Sequence, residues 1–353
     1  MMIVFCNIIS SSNCLKSSTR SSIRSSLSLR SSIRSSSLRS LSSSSITYYY
    51  NDVYKQPLPK DHRFPMEKYR LVRERLQKEL ESQVRFEVSP LATRDELILT
   101  HCPKYVDNFL TGNLTEKEIR KTGFPWSEDS VKRAISSVGG TIAATRNVLM
   151  SDNMISAHIA GGTHHAFYNY GEGFCIFSDI AVAANIALTE FKESCKKIAI
   201  IDLDVHQGNG NAVLFENEPR VFTFSIQCKE NYFSEIQKSD LDIEVPANAD
   251  DDLYCSLLEN SIDKVFEQSP DLVFYQSGVD IHHHDRLGKL KVTRDGLIRR
   301  NNIVYNKVKE MGSKLVVTMG GGYPKCLDTT STEFQEIIDS HCDVYRDAYY
   351  MFH

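Results

Sequence analysis

The stretch Ile198-Ala199-Ile200-Ile201-Asp202-Leu203-Asp204-Val205-His206-Gln207-Gly208-Asn209-Gly210 constrains this chain more than any other. An apolar run feeds into two carboxylates and an imidazole spaced two apart. In an extended chain, residues i, i+2 and i+4 point to one side. Asp202, Asp204 and His206 can therefore face one point at the end of a buried strand. Two oxygen donors and one nitrogen donor suit a divalent metal, and three protein ligands leave a position open for water. Asp204 and His206 alone make two ligands, so a third has to come from elsewhere.

The rest of the chain shows where to look. From residue 154 onward, strand, loop and helix alternate. Strands are expected at 154–159, 197–203, 221–226, 272–276 and 315–319. Helices are expected at 179–192, 210–215, 251–268, 293–311 and 331–350. Such alternation gives a parallel sheet covered on both faces, an α/β sandwich. Upstream, the spacing predicts helices at 66–82, 103–110 and 115–121, a short strand at 97–99, and a helix capped by Ser127 that runs to 150. Ligands of a parallel α/β sheet bind outside the carboxyl ends of its strands. Four strands carry ionisable groups there: His164 and His165; Asp202, Asp204 and His206; Asp280; and Tyr323. Asp280 is the natural third ligand. With zinc held by Asp204, His206 and Asp280, the His pair supplies base and acid, and Tyr323 donates to a developing oxyanion. Asp202 then orients a histidine.

These residues resemble a known family. Gly161-Gly162-Thr163-His164-His165-Ala166, Gly173-Phe174-Cys175, Asp202 to Gly210, Ser277-Gly278-Val279-Asp280 and Gly321-Gly322-Tyr323 are similar to the zinc-dependent histone deacetylase superfamily. The resemblance runs in matching order from about Tyr54 to the C-terminus. His62-Arg63-Phe64-Pro65-Met66, Gly123-Phe124-Pro125-Trp126, Ser239-Asp240-Leu241-Asp242-Ile243 and Asp285-Arg286-Leu287-Gly288 look like the class IV group and its bacterial relatives. The resemblance implies an arginase-like three-layer αβα fold with a mainly parallel sheet, and hydrolysis of an N-acyl-lysine amide in proteins, acetyl or longer. It implies zinc on Asp204, His206 and Asp280, a catalytic pair of His164 and His165, a transition-state Tyr323, and a substrate tunnel walled by Gly173 and Phe174. It further implies that Asp202 backs the first histidine and joins Ser225 at a structural potassium. Asn209 stands where other members carry an Asp, which predicts a less basic His165.

Other readings compete. A small-molecule amidohydrolase acting on acetylated polyamines would share this fold. A two-manganese ureohydrolase would need further Asp and His ligands where Gln207 and Asn209 stand. A weakly active acyl-lysine-binding scaffold is disfavoured by the full ligand set with Tyr323. His282-His283-His284 reads as an exposed loop at the pocket rim, with an extra metal site as the other reading.

Composition sets the remaining bounds. Residues 1–50 are dominated by Ser, lack Asp and Glu, and carry Lys16, Arg20, Arg24, Arg30, Arg34 and Arg39 among Leu and Ile. That pattern is expected of a transit peptide to mitochondrion or plastid, with a disordered tail on a nuclear or cytoplasmic protein as the alternative. Residues 51–353 are expected to form one catalytic domain. Without the six basic residues the net charge falls from −4 to −10, so direct nucleic-acid binding is not expected. No stretch approaches the roughly 18 apolar residues of a membrane span. The nine cysteines are scattered, odd in number and form no C-x-x-C pair, which predicts free thiols. Nothing in the sequence fixes an oligomeric state.

Overall fold

Parallel strands need long crossovers, and helices supply them here. The computed structural model describes residues 46–60, 62–231 and 234–353. Its strands are β1 (Ile46–Tyr50), β2 (Val84–Val88), β3 (Ile155–His158), β4 (Ile198–Asp202), β5 (Val221–Cys228), β6 (Leu241–Val245), β7 (Leu272–Gln276) and β8 (Lys314–Thr318). They form one eight-stranded sheet in the order β2-β1-β3-β8-β7-β4-β5-β6. Every pairing is parallel, so the sheet is parallel throughout rather than mainly so.

The helices are α1 (Glu67–Leu80), α2 (Arg94–Leu97), α3 (Pro103–Thr111), α4 (Glu116–Thr122), α5 (Glu128–Met150), α6 (Asp179–Glu190), α7 (Asn209–Phe215), α8 (Asp251–Phe266), α9 (Arg294–Met311) and α10 (Thr332–Phe352). Two hydrophobic cores lie on opposite faces of the sheet. In one, α1, α8, α9 and α10 bring Leu76, Leu258, Leu297 and Ile337 against Ile201, Tyr275 and Val317. In the other, α5 and α6 bring Val138, Ile142 and Ile180 against Ile200, Phe274 and Val316. Neighbours such as Ile200 and Ile201 fall in different cores because successive strand side chains point to opposite faces. Both faces are buried, which explains the continuous apolar runs. Each buried Ile, Leu or Phe contributes roughly 1.5–3 kcal/mol relative to exposure. The three-layer αβα sandwich expected from the sequence is the fold observed.

Local expectations fail in three places. Residues 97–99 are no strand: Thr93 caps α2 over Arg94–Leu97 in a capping box with Glu96. The border at residue 50 is too late. Ile46–Tyr50 form β1, buried between β2 and β3, so the folded unit already includes Ile46. The sheet's two edge strands, β2 and β6, were passed over. Both alternate apolar with charged residues (Val-Arg-Phe-Glu-Val and Leu-Asp-Ile-Glu-Val), the pattern that protects an edge and reads as surface. The proposed transit segment lies mostly outside the described residues. Among those described, no helix is long and apolar enough to cross a membrane, and the cysteines are free thiols.

Candidate active site

The four strands whose ends carry ionisable residues, β3, β8, β7 and β4, are consecutive in the sheet. Their carboxyl ends therefore open on one place. Asp204, His206 and Asp280 converge there, each offering a donor atom within 4.8 Å of the others. His206 Nδ1 lies 3.1 Å from Asp204 Oδ1 and 3.3 Å from Asp280 Oδ2. The other carboxylate oxygens are spoken for. Val205 N–H donates to Asp280 Oδ1 at 2.9 Å, and Gly321 N–H to Asp204 Oδ2 at 2.8 Å. Asp280 Oδ2 is left buried without a hydrogen bond. A Cβ on Gly321 would collide with Asp280 Oδ2 and Asp204 Oδ2, and one on Gly278 with Asp204 Oδ2, so these glycines let backbone pack against the carboxylates.

The electrostatics of the cluster call for a cation. Burial opposes charge on His206, yet the adjoining carboxylates of Asp204 and Asp280 outweigh it and push its pKa up to about 10. Burial and the neighbouring Asp204 raise the Asp280 carboxyl to about 6. Two buried carboxylates with one imidazole, and an orphaned oxygen aimed at the centre, fit a divalent metal. Asp202 is not part of this cluster. The strand ends at Asp202, so the two-residue alternation stops and Asp202 turns elsewhere.

His164 Nδ1 pairs with Asp202 Oδ2 at 2.7 Å. His165 Nδ1 lies 2.7 Å from Asn209 Oδ1, so the ring donates there. The two rings are 3.9 Å apart. Burial disfavours charge on both, but the carboxylates of Asp202 and Asp204 reverse this for His164 and raise its pKa. No such carboxylate rescues His165. Burial, then the charges of His164 and His206, hold it well below the usual imidazole range.

Tyr323 faces Phe174 at 5.9 Å and Phe64 at 6.2 Å between ring centroids. Burial, with Asp204 and Asp280 nearby, raises its phenol well above the ordinary value, so it stays a hydrogen-bond donor. Phe174 sits at φ 67°, a left-handed conformation costly for a bulky side chain. Its N–H donates to Thr122 O at 2.8 Å, which helps hold it there. Gly173 and Phe174 join His165, His206 and Tyr323 around a cavity of about 260 Å³, whose rim includes Arg63, Glu230 and Lys289. Ser225 pairs in register with Asp202 on β5, and its buried hydroxyl has no hydrogen-bond partner.

Several supporting residues went unread in the sequence. Asn209 Nδ2 donates to Glu172 Oε1 at 3.3 Å, and Glu172 pairs with Lys121 at 2.9 Å. Buried Lys68 donates to Gly320 O and Gly322 O at 3.1 and 3.3 Å, beneath the turn that carries Tyr323. Asp285 accepts the Tyr323 N–H, along with those of Leu287 and Gly288. Asp179 accepts from Gly162 N and Thr163 N at 3.1 and 2.7 Å, fixing the loop before the histidines. Apart from the Asp285 loop, whose motif the sequence shows, these are contacts between distant segments that no local pattern announces. The reading of His282–His284 as an exposed loop needs correction. His282 is buried, only 1% exposed, and His283 and His284 are half-buried, because the loop folds back on Val292, with His283 N–H donating to Val292 O at 2.9 Å.

Comparison with known proteins agrees with this geometry. Residues 62–338 match the histone deacetylase domain. An uncharacterized protein of the cyanobacterium Picosynechococcus is 42% identical over 78% of this chain and 91% of its own length. Histone deacetylase 2 of Arabidopsis thaliana is 30% identical over 67% of this chain, and the acetoin utilization protein AcuC of Staphylococcus aureus 27% over 66%. The chain spans 63% and 65%, respectively, of the lengths of those two relatives. A domain match over most of the chain, on a parallel sheet that gathers a candidate metal cluster at its carboxyl edge, makes this protein a deacetylase-type hydrolase and a member of the histone deacetylase family.

Proposed function

We propose that the protein is a zinc-dependent N-acyl-lysine deacylase, removing acetyl or longer acyl groups from lysine side chains of proteins. One observation carries the reading: His206 of the Asp204–His206–Asp280 cluster lines the same cavity as His165 and Tyr323. Zinc held by the three ligands would polarise the substrate carbonyl and acidify water. His165 is the base. Its Nδ1–H is committed to Asn209, so Nε2 carries the lone pair that takes a proton from water. His164 is the acid. Asp202 keeps it charged, so its Nε2–H is available to the leaving amine nitrogen. The Tyr323 hydroxyl donates to the carbonyl oxygen as charge develops there. Phe174 and Gly173 wall the acyl-lysine chain. Asp202 and the unpartnered Ser225 hydroxyl belong to a structural potassium site. The class IV motifs place the chain in that subgroup, and the Ser/Arg-rich N-terminus directs it to mitochondrion or plastid.

The test is a panel of acyl-lysine peptides of increasing chain length, assayed with and without a zinc chelator. Activity should vanish on chelation and return with stoichiometric zinc. Activity indifferent to metal removal would refute the mechanism. Tyr323→Phe should lower kcat by about 10²–10³-fold, the usual loss of one oxyanion donor. Equal, negligible rates in wild type and this variant would leave only a binding role.

A further inference from the structure

Three consecutive histidines follow Asp280 and play no part in the chemistry above. Across from them, α10 presents Glu336. Donor atoms of His282, His283 and Glu336 all lie within 4.8 Å of one another. His284 Nδ1 stands 2.7 Å from Glu336 Oε2, and His282 Nε2 stands 3.8 Å from the same oxygen. Neither nitrogen has a hydrogen bond: the first is close but misaligned, the second too far. The His282 Nε2 is therefore a buried polar atom aimed at a carboxylate it does not reach, an arrangement that costs stability unless something lies between them.

The surroundings suit a cation. His283 Nδ1 turns to Val292 O at 3.4 Å, leaving Nε2 with a free lone pair; a carbonyl behind the ring is the usual support of a ligating histidine. Glu336 is only partly exposed, with 35% of its side chain open to solvent, so an ion can enter. One contact opposes it. His284 N–H donates to His282 Nδ1 at 3.2 Å, and a cation on Nε2 would give that bond up. At that length it is among the weaker hydrogen bonds. Imidazole with carboxylate selects zinc-type ions, while calcium and magnesium prefer oxygen donors throughout.

We propose that His282, His283 and Glu336, with His284 beside them, bind a second divalent transition-metal ion that ties the loop after β7 to the start of α10. Lys325 extends the tie. Its Nζ donates to His283 O at 2.7 Å and its N–H to His284 O at 3.2 Å, so the segment after Tyr323 is held to the same loop. The ion is structural.

Zinc content measured by mass spectrometry after equilibration with zinc and a weak competing chelator tests this. Wild type should hold two zinc ions per chain. His283→Ala and Glu336→Gln, both at half-buried positions, should each hold one and keep their deacylase rates. The second equivalent should raise the wild-type Tm by a few degrees and leave that of Glu336→Gln unmoved. One zinc in wild type, or two in both variants, would overturn the proposal and reduce the cluster to an ion pair. The proposed function fails separately, by loss of the ion that accompanies activity.

Discussion

His164 and His165 are neighbours in sequence, with ring centroids 3.9 Å apart and equal burial, yet their electrostatics diverge. One is backed by a carboxylate, Asp202, and the other by an amide, Asn209. Burial lowers both, but Asp202 and Asp204 outweigh it and raise His164, whereas burial and the charges of His164 and His206 hold His165 low. In the proposed mechanism this difference divides acid and base duties between two identical side chains. The amide is itself held by Glu172 and Lys121, so a negative charge is present behind His165 but one residue further away.

Each partner can be altered in turn. Asp202→Asn removes the charge that keeps His164 protonated and should cost most, about 10³-fold or more in kcat, judged by the equivalent change in serine-protease triads. A rate within tenfold of wild type would mean that Asp202 serves only the fold. Asn209→Asp, combined with Glu172→Gln to avoid facing carboxylates, makes the two histidines alike. A carboxylate favours the charged ring, and His165 must be uncharged to act as base. The acid limb of the kcat/KM profile should therefore move up by about one pH unit, with the rate at its maximum changed by less than tenfold; an unmoved limb would assign that limb to another group. Glu172→Gln alone leaves an acceptor for Asn209 and should cost about threefold. A larger loss would show that the second carboxylate sets the protonation of His165 through the amide.

The sequence made the sheet and the reacting groups legible for different reasons than it hid the rest. Strands β4, β7 and β8 are buried on both faces, so each announces itself as an apolar run ending at a chemically unusual residue. Asp280 pairs with Asp204 on sequence alone because both follow such runs. The edge strands β2 and β6 carry charges on alternate residues and lose that contrast. Glu172 and Lys68 act on backbone or side chains dozens to hundreds of residues away, and their surroundings in sequence look like ordinary loop and helix. His282 misled for a related reason: three polar residues in a row suggest solvent, but a return to Val292 buries the first.

The order of the sheet also bears on how the protein is made. β8, the last strand in the chain, lies between β3 and β7. Until residues 314–318 leave the ribosome, β3 and β7 lack the strand that pairs with both. Asp204, His206 and Asp280 follow β4 and β7, on one side of β8. The paired histidines stand at the end of β3, on the other side of β8 from β7. The unpaired edges of β3 and β7 are then where a growing chain is open to mispairing.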